Sequence, residues 1–299
     1  MAKKKVDETV LDRQENLAID VMSMINKQFK DIPDKAAHFV FDDLTTDVTD
    51  WIDTGCPELN LAISNRPNGG FPVGRITEIY GATSSGKSLL ASYAVKNTIE
   101  KGGIPIYFDT EFALNKEFWK VIGVDTKKAM SVTLDLLEDV FETMENIIAK
   151  VRATDKNKLI TFVVDSIMGG TTKNESVSDF TKGGWNTEKS IVCSQAMRKL
   201  TPIISRHNIC VILINQVRTN LGVTFGDDET TSGGKAIAFH STVRIKLKSK
   251  GKNQGEINGI KTPVGIKVQA EIVKNKLGPP LRTVIYDIDF SRGINPYSG

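Results

Sequence analysis

The octapeptide Gly81-Ala82-Thr83-Ser84-Ser85-Gly86-Lys87-Ser88 constrains this chain more than any other stretch. It has the spacing GxxxxGK[ST]. It lies between an apolar run, Ile76 to Tyr80, and a segment of helical periodicity from Ser88 to Lys101. A loop of this composition turns its backbone N–H groups inward and opens a helix, whose N-terminal dipole adds positive potential. Together these hold phosphate. On that mechanism Gly81, Thr83, Ser84, Ser85, Gly86 and Leu89 form the cradle. Lys87 reaches the β- and γ-phosphates of a nucleotide, and the Ser88 hydroxyl ligates Mg²⁺. The flanking pattern has to be strand–loop–helix, the building unit of a parallel α/β sheet.

The rest of the chain repeats that unit. Ile104 to Asp109, Leu159 to Asp165 and Ile209 to Asn215 are near-continuous apolar runs. They alternate with helical patterns over 132–151 and 187–206, as in a sheet covered on both faces. After residue 243 the pattern changes. Val243 to Lys248, Gly265 to Lys274 and Arg282 to Phe290 alternate apolar and polar residues, which predicts antiparallel strands. A turn is expected over Lys250 to Gly255. Gly169 to Asn186 and Val217 to Gly234 are Gly-rich and polar, and read as long loops leaving sheet strands. Residues 1–48 form a separate arm, with an amphipathic helix over 7–30 (Leu17, Ala18, Val21, Met24, Ile25, Phe29) and a short strand over 38–41; residues 49–299 form the main domain.

With 39 Lys+Arg against 36 Asp+Glu, the net charge is +3. Any nucleic-acid site must then be a local basic patch. Three cysteines (Cys56, Cys193, Cys210) without CxxC spacing exclude a disulfide framework and a zinc site, and fit a cytoplasmic location. No stretch has the length and apolarity of a membrane span.

Carboxyl ends of parallel strands are where such sheets place ligand chemistry. Asp165 ends a buried strand and is the second candidate Mg²⁺ anchor. Glu111, just past the strand ending at Asp109, is the candidate general base. Gln216, after the strand ending at Asn215, is the candidate γ-phosphate sensor.

These residues, in this order, resemble the RecA recombinases. The similarity runs through Gly74-Arg75-Ile76-Thr77-Glu78-Ile79-Tyr80-Gly81, Asp109-Thr110-Glu111-Phe112-Ala113-Leu114 and Ser194-Gln195-Ala196-Met197-Arg198-Lys199-Leu200. It continues through Asn215-Gln216-Val217-Arg218, Phe225 to Gly234 and Lys274-Asn275-Lys276. It spans about residues 50–299 and includes the phage-encoded branch. The resemblance implies a RecA-like ATPase core: a mostly parallel sheet flanked by helices, an antiparallel C-terminal extension and an N-terminal helix–strand arm. It implies ATP and Mg²⁺ as cofactors, single-stranded DNA and homologous duplex DNA as partners, and a homo-oligomeric helical filament. Two DNA loops, over 169–186 and 217–234, are expected. Ser194, Arg198, Arg218, Thr219, Asn220, Phe225, Ser232 and Lys235 would contribute to DNA contacts. The N–H groups of Gly233 and Gly234 would hold phosphates, and Leu221 would wedge between bases. Phe118 falls where the family stacks adenine. Lys274 and Lys276 would reach the γ-phosphate on an adjacent subunit. The 1–48 arm would dock on a neighbouring subunit. Asn115 departs from an acidic residue near the adenine. The chain stops at Pro296-Tyr297-Ser298-Gly299, before the family's usual C-terminal domain. The competing readings are a ring-forming helicase, which would place an arginine finger and not paired lysines across the interface, and a filament-forming mediator that binds DNA with little turnover, against which Glu111 argues.

Overall fold

The computed structural model describes residues 8–30, 37, 47–178, 185–219, 229–257 and 259–298. The chain divides into two compact units, Met1–Asp47 and Val48–Gly299. In the first, α1 (Glu8–Gln28) exposes Leu17, Val21 and Met24. The Asn26 amide bonds both backbone groups of Ala37, accepting from its N–H at 2.8 Å and donating to its carbonyl at 3.0 Å. The expected strand over 38–41 lies outside the described residues.

The second unit opens with β1 (Trp51–Ile52), α2 (Pro57–Ser64) and β2 (Phe71–Pro72), followed by β3 (Arg75–Gly81), α3 (Lys87–Glu100) and β4 (Ile104–Asp109). Next come α4 (Lys116–Val121), β5 (Met130–Val132), α5 (Leu137–Thr154), β6 (Ile160–Asp165), α6 (Lys173–Ser176), α7 (Trp185–Ser205) and β7 (Ile209–Thr219). The rest is β8 (Glu229–Thr231), α8 (Gly234–His240), β9 (Val243–Ile257), β10 (Ile260–Asn275), β11 (Thr283–Asp289) and β12 (Gly293–Ile294). The main sheet has the order β12-β11-β10-β9-β3-β7-β6-β4-β5. Pairing from β9 through β3, β7, β6 and β4 to β5 is parallel, and from β9 to β12 antiparallel.

The continuous apolar runs are explained by two cores. In β6, Val163 belongs to the core under α3, with Leu90 and Val95. Its neighbours Phe162 and Val164 face α5 and α7 with Val140, Met144, Met197 and Leu200. β7 alternates in the same way, Ile212 and Ile214 to one side and Val211 and Leu213 to the other. Each such side chain contributes about 1.5–3 kcal/mol on burial, so both faces demand apolar residues.

Four local expectations are corrected. Val132 belongs to β5, paired with Phe108, and α5 begins only at Leu137. Val217 to Thr219 are strand, because β8 pairs back on them. Lys173 to Ser176 are helical, nucleated by a capping box in which Thr172 and Glu175 bond each other's backbone. Lys250 to Gly255 are strand, not turn: β9 runs on past its last partner in β3, and Gly251 to Gly255 stay paired with β10.

Candidate functional site

The parallel register brings the candidate groups to one edge of the sheet. Gly81 at the end of β3 is aligned with Gln216 of β7, and Asp109 of β4 with Asp165 of β6. Because these strands are parallel, the chain leaves each of them on this edge, so loops and helix N-termini gather there.

The 81–88 loop forms the floor. A Cβ on Gly81 would lie 2.2 Å from the Leu247 carbonyl oxygen, so the close approach of β9 excludes a side chain there. Gly86 caps α3 with φ +91°, a conformation costly for any other residue type. The Lys87 ammonium folds back onto the loop, donating to the carbonyls of Ala82 at 2.8 Å and Gly81 at 3.1 Å. Burial lowers its pKa, while Asp165 and Glu111 push it back up. The Ser85 hydroxyl is buried without a hydrogen-bond partner.

Carboxylates line the wall. Asp165 accepts from the Tyr107 hydroxyl at 2.5 Å and hydrogen-bonds Ser88. Burial raises its pKa, and those two bonds oppose the rise. Glu111 accepts from the Ser166 hydroxyl at 2.5 Å and from the Gln216 amide at 3.3 Å. Thr110 holds Ser166 through both its backbone groups. Asp109 is used differently: its carboxylate accepts from the backbone of Ala113 and Leu114, shaping the turn into α4. Ser88, Leu89, Tyr107, Glu111, Asn115, Phe118 and Asp165 line one cleft of about 180 Å³. Asn115 caps α4, accepting from the Phe118 N–H at 3.0 Å.

The paired lysines lie elsewhere in the fold. Lys274, near the end of β10, donates to the carbonyls of Ala238 at 2.7 Å and Phe239 at 2.8 Å, capping α8. Burial first, then Lys276 and Arg244, lower its pKa to about 8. Lys276 lies 5.9 Å from the Phe239 ring centroid.

The candidate DNA-facing residues are spread over α7, β7 and α8. Ser194 and Arg198 occupy one face of α7, with Arg198 exposed. Gly233 caps α8 with φ +83°, and a Cβ there would meet Cys193 Sγ at 2.9 Å. Gly234 opens α8 beside Ser190, and Lys235 is exposed. The Ser232 N–H donates to Asn215 at 3.2 Å. The backbone of Arg218 and Thr219 lies at the end of β7. Asn220, Leu221 and Phe225 lie outside the described residues, as does the 179–184 part of the first expected loop.

The family model of the RecA N-terminal domain matches residues 17–295. This chain belongs to the RecA family. It is similar to the Protein RecA of Chlamydia trachomatis, 38% identical over 247 residues that cover 82% of this chain and 66% of the relative. The Protein RecA of Leptospira meyeri is 36% identical over 247 residues, covering 82% and 59%. That of Chlamydia pneumoniae is 36% identical over 244 residues, covering 82% and 65%. The chain thus spans 59% to 66% of the length of these RecA relatives. The RecA-like α/β fold expected from the sequence is the one observed. Among the described residues, no helix is long and apolar enough to cross a membrane.

Sequence reasoning assigned no role to Tyr107, Thr110, Ser166, Glu78 or Asn215, although Thr110, Glu78 and Asn215 lie within the stretches that resemble RecA. The signal was present for Glu78, Tyr107 and Asn215. Each interrupts an otherwise apolar buried strand, and a buried polar group has to be hydrogen-bonded.

Proposed function

We propose that this chain is an ATP-dependent recombinase that polymerises on single-stranded DNA, pairs it with homologous duplex DNA and exchanges strands, in recombination and repair. The observation that carries the reading is the Glu111–Gln216 hydrogen bond at 3.3 Å. It joins the candidate catalytic base to the first residue after Asn215, where the chain heads toward the expected second DNA loop. A DNA-stimulated ATPase needs that link between nucleotide and DNA; a filament-forming mediator with little turnover has no use for Glu111.

The loop fits a triphosphate. The buried, unpartnered Ser85 hydroxyl, in a loop whose Gly81 and Gly86 leave no room for side chains against β9 and Ile288, is a polar group that a phosphate would satisfy. Gly81, Thr83, Ser84, Ser85, Gly86 and Leu89 surround the phosphates, and Phe118 stacks the base. Lys87 exchanges two neutral carbonyls for the charged β- and γ-phosphates. Ser88 and Asp165 are placed together and suit Mg²⁺, which takes one or two protein oxygens plus phosphate oxygens and neutralises developing charge when bound. Glu111 accepts the proton of the attacking water, and Gln216 senses the γ-phosphate. Lys274 and Lys276 complete the site from an adjacent subunit, making ATP turnover depend on assembly. Residues 1–48 act as the polymerisation arm, and the exposed apolar residues of α1 support a docking role. Residues 49–299 form the ATPase core. Ser194, Arg198, Arg218, Thr219, Asn220, Leu221, Phe225, Ser232, Gly233, Gly234 and Lys235 grip DNA chiefly through its backbone, so binding is indifferent to sequence. The location is cytoplasmic.

Electron microscopy with a non-hydrolysable ATP analogue and single-stranded DNA tests this reading. Helical filaments are expected. Closed rings would favour a helicase-type motor, and absence of nucleotide-dependent assembly would overturn the proposal.

A further inference from the structure

Glu78 is fully buried in β3, the strand that delivers the 81–88 loop; its hydrogen bonds go to side chains with no assigned part in ATP chemistry, and its charge is felt by Lys274. Its two oxygens are divided. One accepts from the Arg244 Nε at 2.5 Å, and the other from the Asn215 amide at 3.1 Å. Register explains the meeting: Glu78 is aligned with Arg244 on β9 and with Leu213 on β7, two residues before Asn215.

Asn215, also fully buried, spends every remaining hydrogen-bonding position on backbone at the two ends of the 216–232 segment. Its oxygen accepts from the N–H of Gln216 at 3.0 Å and of Ser232 at 3.2 Å, and its amide donates to the Ser232 carbonyl at 2.8 Å. Gln216 carries the bond to Glu111, and Ser232 precedes the Gly233 cap of α8. One side chain therefore fixes both ends of the segment, and Glu78 fixes that side chain. Glu78 requires the Asn215 nitrogen to point its way, which sets the amide's orientation and so the sense of the other three bonds.

We propose that Glu78 is a positioning residue: through Asn215 it holds Gln216 and Ser232 in register, so that a change at the nucleotide is felt at Gly233 and Gly234. This rests on the functional reading above. The Glu78–Arg244 ion pair supplies the fixed charge, because an unpaired carboxylate buried among Ile and Leu side chains would be costly. The coupling passes through a contiguous hydrogen-bonded network, and Glu78 contacts neither nucleotide nor DNA.

The test compares three variants in the full chain: Asn215→Asp, Glu78→Ala, and the double exchange Glu78→Gln with Asn215→Asp. Asn215→Asp keeps the acceptor for both N–H groups but turns an oxygen toward both Glu78 and the Ser232 carbonyl. The double variant restores a donor–acceptor pair between the two positions, with the same total charge. Three quantities are read: thermal unfolding, affinity for a non-hydrolysable ATP analogue, and the ratio of single-stranded DNA affinities with that analogue and with ADP. Asn215→Asp and Glu78→Ala are expected to keep analogue affinity within about twofold and lose about tenfold of the DNA-affinity ratio, the scale of an ordinary coupling between sites. The double variant is expected to recover part of that loss, the part carried by the direct 78–215 pair, because the Ser232 carbonyl stays without its donor in both Asn215→Asp chains. A purely structural role would lower the unfolding temperature without selective loss and rescue of the ratio. An unchanged ratio in folded single variants, or no recovery in the double variant, would overturn the proposal. Should Glu78→Ala fail to fold, the two Asn215→Asp chains carry the test. A wild-type protein whose DNA affinity ignores the nucleotide would instead sink the recombinase reading, and this inference with it.

Discussion

Lys87 and Lys274 are each folded onto a pair of backbone carbonyls, yet their surroundings differ in sign. Burial lowers the pKa of both. Beside Lys87, Asp165 and Glu111 push it back up. Around Lys274, Lys276 and Arg244 push it further down, to about 8, with Glu78 opposing. The phosphate-loop region thus carries its own counter-charge, whereas the end of β10 gathers cations. The comparison separates a lysine balanced by carboxylates of its own chain from one crowded by other cations. On the proposed function, the cations at the second would meet the γ-phosphate of a neighbouring subunit.

Removing the first lysine is the most severe way to break the comparison. Lys87→Ala should lower ATP turnover by about 100-fold or more, the scale of deleting a charge-stabilising donor at a reacting centre, and abolish nucleotide-dependent filaments. Intact ATP-dependent filaments in the micrograph would contradict the assignment. Glu111→Gln comes next. It keeps a group able to bond Ser166 and Gln216 but loses the base, so ATP hydrolysis should fall by roughly 100-fold while ATP-dependent DNA binding persists. Undiminished steady-state turnover would remove Glu111 as the base.

The second lysine gives a smaller effect with a pH signature. A charge needed on Lys274 disappears as pH rises through about 8, so DNA-stimulated turnover should fall roughly fourfold between about pH 7 and about pH 8.5. Lys274→Arg, which stays charged, should remove that alkaline limb from the pH–rate profile. The sign for protomer stability is opposite. With the folded value at about 8 and the ordinary value at 10.5, the unfolded chain holds the extra proton between them. Stability therefore rises with pH across that window, and the cost of the crowded charge is fully present below it. Identical profiles for both proteins would show that Lys274 does not titrate in the reaction. The smallest effect is expected at Arg218. Arg218→Ala should weaken single-strand binding about equally for all sequences, and reduce the log–log salt slope by roughly 0.7 in a salt titration. A loss confined to particular sequences would point to base contacts instead.

Much of the candidate site's meeting at one edge was legible because its motifs are local. The 81–88 spacing, Asp165 ending an apolar run and Glu111 just past another each follow from a few adjacent residues and the rule that parallel strands end on one edge. Where the reading slipped, a distant partner decided. Val217 to Thr219 looked like loop until β8 supplied a ladder, and Lys250 to Gly255 looked like turn until β10 ran alongside. Val132 scored as helix because periodicity does not register a strand partner such as Phe108. The short helix at Lys173 is a different failure: Thr172-Lys173-Asn174-Glu175 has capping-box spacing, and a polar tract concealed it.

By itself the sequence determined the alternation of doubly covered strands with helices, the phosphate loop and its carboxylate company, because hydrophobic period and motif spacing are properties of neighbouring residues. Only the tertiary structure decided what the isolated polar residues are for. Glu78, Tyr107, Asn215 and Arg244 acquire meaning when sheet register sets them against partners 58 to 166 residues away. A buried hydrogen bond depends on where two strands meet, and neither strand encodes that alone.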